Sequence, residues 1–99
     1  MSINPKIKEL EGQRGVLQIP LVLQQNGEIL YSKLYNNKPL IEISNNSTAK
    51  RALQILLKYN LVMERNGENN SKAIYYKLTA KGQRFAMLIK EMEKLLEEE

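Results

Sequence analysis

Apolar residues recur at helical spacing near the start of the chain. Ile3, Ile7 and Leu10 follow one another at intervals of four and three residues, which puts them on one side of a helix. Asn4-Pro5 offers an N-cap followed by proline at the first helical position. We therefore predict a short amphipathic helix that ends at the glycine residues following it.

The next segment, residues 14–26, is apolar on nearly all sides, which indicates a buried element. Pro20 cannot donate a hydrogen bond inside a helix, so the helix either begins near Gln18 or is kinked at the proline. Asn26-Gly27 is a typical helix end. Beyond it, residues 28–30 can pair as a short strand with a later hairpin. Residues 32–37 predict a short helix.

Residues 44–60 predict an amphipathic helix whose two faces are well separated. Its apolar face carries Ala49, Ala52, Leu53, Leu56 and Leu57. Its polar face carries Ser47, Lys50, Arg51, Gln54 and Lys58. Residues 44–46 offer several N-caps, and Asn60 can adopt the left-handed conformation that ends a helix. No acidic residue occurs in this stretch, so the outer face is positive.

A hairpin and a long helix complete the pattern. Residues 61–65 and 73–78 have strand character, and the polar residues 66–71 between them predict a turn. Because side chains alternate along a strand, one of the adjacent residues Tyr75 and Tyr76 should point inward and the other outward. A final helix, capped by Thr79, is predicted over residues 80 to 97. Its a and d positions over two heptads are Phe85, Leu88, Met92 and Leu95.

Composition and charge narrow the possible functions. The chain has 99 residues, which is enough for one domain with a modest core. The net charge is +4, but the last ten residues carry −3, so residues 1–89 carry +7. A basic body with an acidic end suggests a polyanionic partner.

The residue types that are missing argue against catalysis. The sequence contains no His, Cys or Asp, which removes the commonest general base, the commonest metal ligands and the thiol nucleophile. We expect no enzyme activity, no catalytic residue, no cofactor and no metal site. The chain also lacks a long apolar run and a signal-peptide pattern, so we expect a cytoplasmic, DNA-associated protein without a membrane partner.

Two stretches carry a resemblance to a known family. The first runs from Ser47-Thr48-Ala49 to Leu61-Val62, and the second is Tyr75-Tyr76-Lys77-Leu78-Thr79-Ala80-Lys81-Gly82. Together they resemble the winged helix-turn-helix transcription regulators, over residues 14 to about 90, and the final helix is similar to that of the MarR-like and PadR-like branches. Two departures are Asn60, where the family usually has Gly, and a connector over 36–43 that is about four residues longer than usual.

The resemblance implies an α+β fold that is mostly α, a winged helix-turn-helix with a long C-terminal dimerisation helix. Residues 1–13 would form an N-terminal helical arm, residues 14–79 the DNA-binding domain and residues 80–99 the dimerisation helix. The residues implied to contact DNA from the recognition helix are Asn46, Ser47, Thr48, Lys50, Arg51 and Gln54. Those implied for the wing are Arg65, Asn69, Asn70 and Lys72. Those expected at the dimer interface are Ile3, Ile7, Leu10, Phe85, Leu88, Met92 and Leu95.

These residue types suit a DNA groove. Arg and Lys can reach the acceptors of guanine, and Gln and Asn suit the edge of adenine. Hydroxyl and amide groups at a helix N-terminus can hold a phosphate. The sequence therefore predicts a homodimeric, sequence-specific double-stranded DNA-binding protein, a transcription regulator whose effector ligand, if any, is unknown.

Other interpretations remain open at this point. Small basic winged-helix dimers also serve as centromere-binding proteins in plasmid partition or coat DNA as chromatin proteins. Some winged helices bind proteins without touching nucleic acid. The positive helix face could equally be an ordinary solvated surface, and the heptad stripe could pack on its own domain.

Overall fold

The computed structural model describes residues 2–34, 45–68 and 72–99. Within these ranges the elements follow one another as α1 (Pro5–Glu11), α2 (Gln18–Asn26), β1 (Ile29–Leu30), α3 (Tyr31–Leu34), α4 (Asn46–Lys58), β2 (Val62–Asn66), β3 (Ile74–Leu78) and α5 (Ala80–Glu97). The predicted fold class is confirmed, because helices predominate and the strands form a small antiparallel sheet. The predicted connector 36–43 lies outside the described residues. None of the described helices is long and apolar enough to span a bilayer.

The first two helices begin as their sequences predict. The Asn4 side chain accepts a hydrogen bond of 2.8 Å from the backbone N–H of Lys6, and Pro5 is the first helical residue. Helix α2 begins at Gln18, which puts Pro20 in the first turn. A backbone N–H there has no partner within the helix, so the proline removes no hydrogen bond. The start of the helix at Gln18, and not a kink at Pro20, is the correct alternative.

The sheet has the strand order β1-β3-β2, with both pairings antiparallel. The predicted pairing of residues 28–30 with the hairpin is confirmed, since Ile29 lies opposite Tyr76. A hydrogen bond of 2.8 Å from Gly67 N–H to Ala73 C=O closes the hairpin. Tyr76 is buried and Tyr75 is half-buried, as the alternation along a strand predicts.

One core joins these elements. Helix α2 lies against α5 and β3, and α4 lies against β2. Leu34 of α3 is fully buried. The buried residues of this core are Val16, Ile19, Val22, Leu23, Ile29, Leu34, Ala49, Ala52, Leu53, Leu56, Leu61, Val62, Tyr76, Leu78 and Ala86. Every element after α1 contributes to it, so the sheet and helices support one another as a unit.

The chain passes from α4 into the sheet, and from the sheet into α5, at one tightly packed place. We call it the junction and define it by Asn60, Leu61, Thr79 and Gly82. Asn60 has φ 58°, the left-handed helix end that the sequence predicted. The Thr79 hydroxyl donates to the Asn60 C=O at 2.6 Å and accepts from the Gly82 N–H at 2.9 Å, and the Thr79 N–H donates to the Leu61 C=O at 3.1 Å.

Gly82 is required at the junction because α5 touches the backbone of the other segment. A Cβ at Gly82 would lie 1.8 Å from the Leu61 carbonyl oxygen and 3.1 Å from the Leu78 Cδ2. No side-chain rotation can relieve a clash with a backbone carbonyl. The absence of a side chain at this position therefore sets the distance between α5 and the start of β2.

Replacing Gly82 by alanine should destabilise the protein, although alanine favours helices. We expect a loss on the order of 1–3 kcal/mol in the free energy of unfolding, because α5 must move away from Leu61. Urea unfolding followed by circular dichroism measures it. Gly12→Ala is the matched control: Gly12 is exposed, has helical φ and ψ, and should change stability by less than about 1 kcal/mol. Equal effects at the two sites would contradict the close approach.

Candidate nucleic-acid interface

Helix α4 presents one face to the core and the opposite face to solvent. Ala49, Ala52, Leu53 and Leu56 are buried. On the opposite side the predicted DNA-contacting residues are exposed, namely Asn46, Ser47, Lys50, Arg51 and Gln54. Thr48, the sixth of that set, is half-buried at the edge of this face. The structure therefore brings the predicted side chains of this helix together on one surface, which we call the α4 face.

The N-terminus of α4 is capped by Asn45. Its side-chain oxygen accepts hydrogen bonds from the backbone N–H groups of Ser47 at 2.8 Å and Thr48 at 3.3 Å. The helix begins at Asn46, directly after one of the N-caps that the sequence offered. Because Asn45 occupies these two amides, the hydroxyl groups of Ser47 and Thr48 are better placed to meet a phosphate than their backbone N–H groups are.

The C-terminal end of α4 is bound to α1. Lys58 Nζ lies 3.1 Å from both carboxylate oxygens of Glu9, and the Tyr59 hydroxyl donates a hydrogen bond to the same carboxylate. The hydrogen bond from Tyr59, and then that from Lys58, lower the pKa of Glu9. The charge of Lys58, which the sequence assigned to the polar face, is thus largely neutralised within the protein.

The remaining cations of the α4 face are Lys50 and Arg51. The Arg51 Nε lies 3.4 Å from the Ser47 backbone C=O, one turn earlier on the helix, which holds the guanidinium along the helix surface. Gln54 follows one turn after Lys50 on the same exposed side. An uncompensated positive charge beside amide donors and acceptors can bind a phosphate backbone and also distinguish base edges.

Arg65 of the predicted wing already contacts other residues of the protein. Its Nε donates to the Glu28 carboxylate at 2.8 Å, and its guanidinium lies 4.5 Å from the centre of the Tyr75 ring. This contact lowers the pKa of Glu28. Lys72 is exposed at the other side of the hairpin, and Asn69 and Asn70 lie outside the described residues. To contact a phosphate, Arg65 would have to divide its N–H donors between Glu28 and the phosphate, or break its contact with Glu28.

Several residues next to the α4 face were missed by sequence reasoning. The Tyr31 hydroxyl donates to the Asn46 side-chain oxygen, and the Gln13 amide donates to the Thr48 C=O at 3.4 Å. Tyr31 and Gln13 lie far from α4 in sequence, as Glu28 lies far from Arg65, so no local pattern signalled these contacts. Asn45, by contrast, was among the N-caps predicted in residues 44–46, since an Asn immediately before a helix is a typical cap.

The residues predicted for the dimer interface fall into two groups. Phe85 and Leu10 are partly buried and pack against the core of their own domain. The others, Leu88, Met92, Leu95, Ile3 and Ile7, are between 44% and 66% exposed. The second half of α5 thus carries an apolar stripe that no described residue covers.

Comparison with solved structures identifies the fold. An uncharacterized SlyA-like transcription regulator from Listeria monocytogenes gives a TM-score of 0.72 at 28% sequence identity, over 93% of this chain and 59% of that one. The transcriptional regulator SlyA gives 0.72 at 24% identity, over 92% of this chain and 61% of the other. The reduced form of the transcriptional regulator YodB from B. subtilis gives a TM-score of 0.70 at 22% identity, over 94% of this chain and 90% of the other.

These likenesses confirm the winged helix-turn-helix fold that the sequence predicted. In it, α4 corresponds to the recognition helix and the β2–β3 hairpin to the wing. The chain spans about six tenths of the length of the SlyA-like regulators that it matches. No protein-family model matches the sequence, and no curated protein matches it in sequence.

The contact between α1 and α4 predicts a particular pH dependence. The folded protein lowers the pKa of Glu9 below its ordinary value of 4.5, so the carboxylate stabilises the fold above that pH. This stabilisation is lost as the pH falls through the lowered pKa. The Tm difference between the unmodified protein and Glu9→Gln should therefore shrink when thermal unfolding is measured from about pH 6 down to about pH 3.

Glu11→Gln is the control for this measurement. It removes a carboxylate from the same helix outside the contact with Lys58 and Tyr59, so its Tm difference should change less with pH. A difference that stays constant for Glu9→Gln would show that Glu9 does not bind α4 in solution.

Proposed function

We propose that this chain is a homodimeric, sequence-specific double-stranded DNA-binding protein that regulates transcription. The observation that carries the proposal is the α4 face: its polar side chains are exposed and include no acid, while the opposite side of the helix is anchored in the core. The likeness to winged-helix transcription regulators supports the same function. In this proposal the protein is cytoplasmic and associated with DNA.

Each polar group of the α4 face has a specific role in this proposal. Arg51 and Lys50 donate to the O6 and N7 acceptors of guanine in the major groove, and Gln54 pairs with an adenine edge. Ser47 and Thr48 bind phosphate oxygens and set the position of the helix along the backbone. Lys58 contributes little, because Glu9 compensates its charge.

The wing contributes affinity in this proposal. Lys72 is exposed and can bind a phosphate beside the groove occupied by α4. Asn69 and Asn70, which lie outside the described residues, are proposed as further DNA contacts. Arg65 has a different part, since Glu28 and Tyr75 hold it against the sheet. We propose that it stiffens the base of the wing, and that its contact with DNA is secondary.

The uncovered stripe of α5 supports dimerisation. Leu88 is 61%, Met92 44% and Leu95 66% exposed, at heptad spacing on one side of the helix. A second copy of the helix would cover them and remove apolar surface from water. Ile3 and Ile7 of the N-terminal arm can extend the same interface. A two-fold dimer would present two α4 helices about 34 Å apart, one turn of DNA, and would select an inverted repeat.

Replacing Arg51 by alanine should weaken specific binding. We expect a loss on the order of 1–3 kcal/mol on a duplex selected from a randomised library, because the guanidinium would no longer pair with a base. Lys50→Ala and Gln54→Ala should also weaken it. Fluorescence anisotropy with a labelled duplex measures the affinity, at two salt concentrations, since phosphate contacts must weaken as salt rises.

Lys90→Ala is the matched control, because it removes the same charge from α5 and leaves α4 intact. Unchanged affinity for all three α4 variants would remove this helix from the groove. A footprint that is bounded on the selected duplex supports a regulator. A footprint that spreads with protein concentration would instead indicate a protein that coats DNA.

The dimer can be tested with a pair of adjacent residues. Leu88 and Met87 are 61% and 60% exposed on α5, but only Leu88 belongs to the heptad stripe. Leu88→Glu should therefore shift the mass measured by light scattering toward the 11.5 kDa monomer, whereas Met87→Glu should leave it a dimer. The double variant Leu88→Glu with Leu95→Glu should be fully monomeric and lose most of its DNA affinity, since one half-site binds weakly. A monomer for the unmodified protein at micromolar concentration would refute the dimer.

A further inference from the structure

Tyr31 connects the sheet to the first residue of the recognition helix. It follows Leu30 of β1 directly and begins α3, and its hydroxyl reaches Asn46 at the start of α4. The hydroxyl donates to the Asn46 side-chain oxygen Oδ1 and lies 3.3 Å from the Asn46 backbone oxygen. A residue outside α4 thus forms a hydrogen bond with a side chain on the α4 face.

The position of the Tyr31 ring is set by the sheet. The ring packs edge-on against the Tyr76 ring, with the centroids 6.1 Å apart and the planes inclined at 61°. Tyr76 is itself buried in β3, opposite Ile29 of β1. Tyr31 therefore does not follow Asn46 passively, because packing holds its ring before any DNA is bound.

This hydrogen bond changes what Asn46 can offer to a base. An asparagine that pairs with adenine uses both ends of its amide: Nδ2 donates to N7 and Oδ1 accepts from the N6 amino group. The Tyr31 hydroxyl takes one lone pair of Oδ1 and turns that oxygen toward itself, so the NH₂ group is the end better placed to meet DNA. Two protons on one nitrogen can bridge the N7 and O6 acceptors of guanine, whereas the N6 amino group of adenine would be left unpaired.

We propose that Tyr31 is a positioning residue that fixes the Asn46 amide as a hydrogen-bond donor, so that this position selects guanine over adenine. The inference rests on the proposed DNA-binding function and deepens it. It gives Tyr31, which needs no contact with DNA, control over the base preference of one position in each half-site.

The test compares base preferences of the unmodified chain and its variants on a library of randomised duplexes. The unmodified protein should enrich guanine at one position per half-site, and Asn46→Ala should abolish the preference there. Tyr31→Phe frees Oδ1 and should raise the adenine-to-guanine ratio at that position by roughly tenfold. In the Asn46→Ala background Tyr31→Phe should have no further effect, because Tyr31 acts through Asn46. Tyr75→Phe removes a tyrosine hydroxyl from the outer side of β3 and should leave the preference unchanged.

A second measurement uses the unmodified protein, so it does not depend on how well Tyr31→Phe folds. Replacing the selected guanine by 7-deazaguanine removes the N7 acceptor and should weaken binding. Unchanged affinity for that duplex would overturn the proposal. An unaltered preference in Tyr31→Phe, or a preference that still changes when Asn46 is alanine, would also overturn it.

The failure of the proposed function has a different signature. If the unmodified protein enriches no sequence at all, sequence-specific binding is refuted and the role of Tyr31 with it. If it enriches a sequence but the preference does not depend on Tyr31, DNA binding stands and only the positioning role is refuted.

Discussion

The contact of Gly82 with the backbone of Leu61 ties the functional parts of this protein together. It lies where the recognition helix has ended, the wing begins and α5 starts, and Thr79 bonds all three segments. A Cβ at Gly82 has no space. The angle between α4 and α5 therefore depends on backbone atoms in contact and cannot change through side-chain rotation. The helix proposed to enter a DNA groove and the helix proposed to pair with a second copy are thus held in a fixed relative orientation.

Some basic residues near the proposed interface are paired with acids and others are not. Of the basic residues near the proposed interface, Lys58 and Arg65 are paired with Glu9 and Glu28, and both pairs join elements far apart in sequence. Exposed ion pairs contribute little stability individually, so their main effect here is to orient the elements that they join. One holds α1 to the end of α4, and the other holds the base of the wing to the start of β1. Lys50 and Arg51, in the middle of α4, form no ion pair with a described residue and keep their charge where specificity would be needed.

Helix α5 has two parts with different surroundings. Gly82, Ala86 and Ile89 are buried against the domain, whereas the side chains of the last two turns are all exposed. The first part behaves as a core element and the second as an extension beyond the core. Such an extension is poorly stabilised alone, because isolated helical turns gain little without packing. Coverage by a second copy would supply the missing contacts.

Much of the fold followed from local patterns, because helix periodicity, caps and turn residues act over a few neighbouring residues. Asn4-Pro5, Pro20, Asn60 and Thr79 mark element ends in the sequence and do so in the structure. The amphipathicity of α4 likewise determined which of its side chains face solvent.

Only the tertiary structure decided which exposed cations remain uncompensated and which side chains hold others in place. Three contacts join residues that are distant in sequence. They are Glu9 with Lys58, Glu28 with Arg65 and Tyr31 with Asn46, separated by 49, 37 and 15 residues. Each contact depends on how helices and strands pack, and no local spacing encodes it. The sequence by itself therefore determined the elements and the polar face of α4. Packing decided the charge on that face and the orientation of its first residue, because both depend on partners that are distant along the chain.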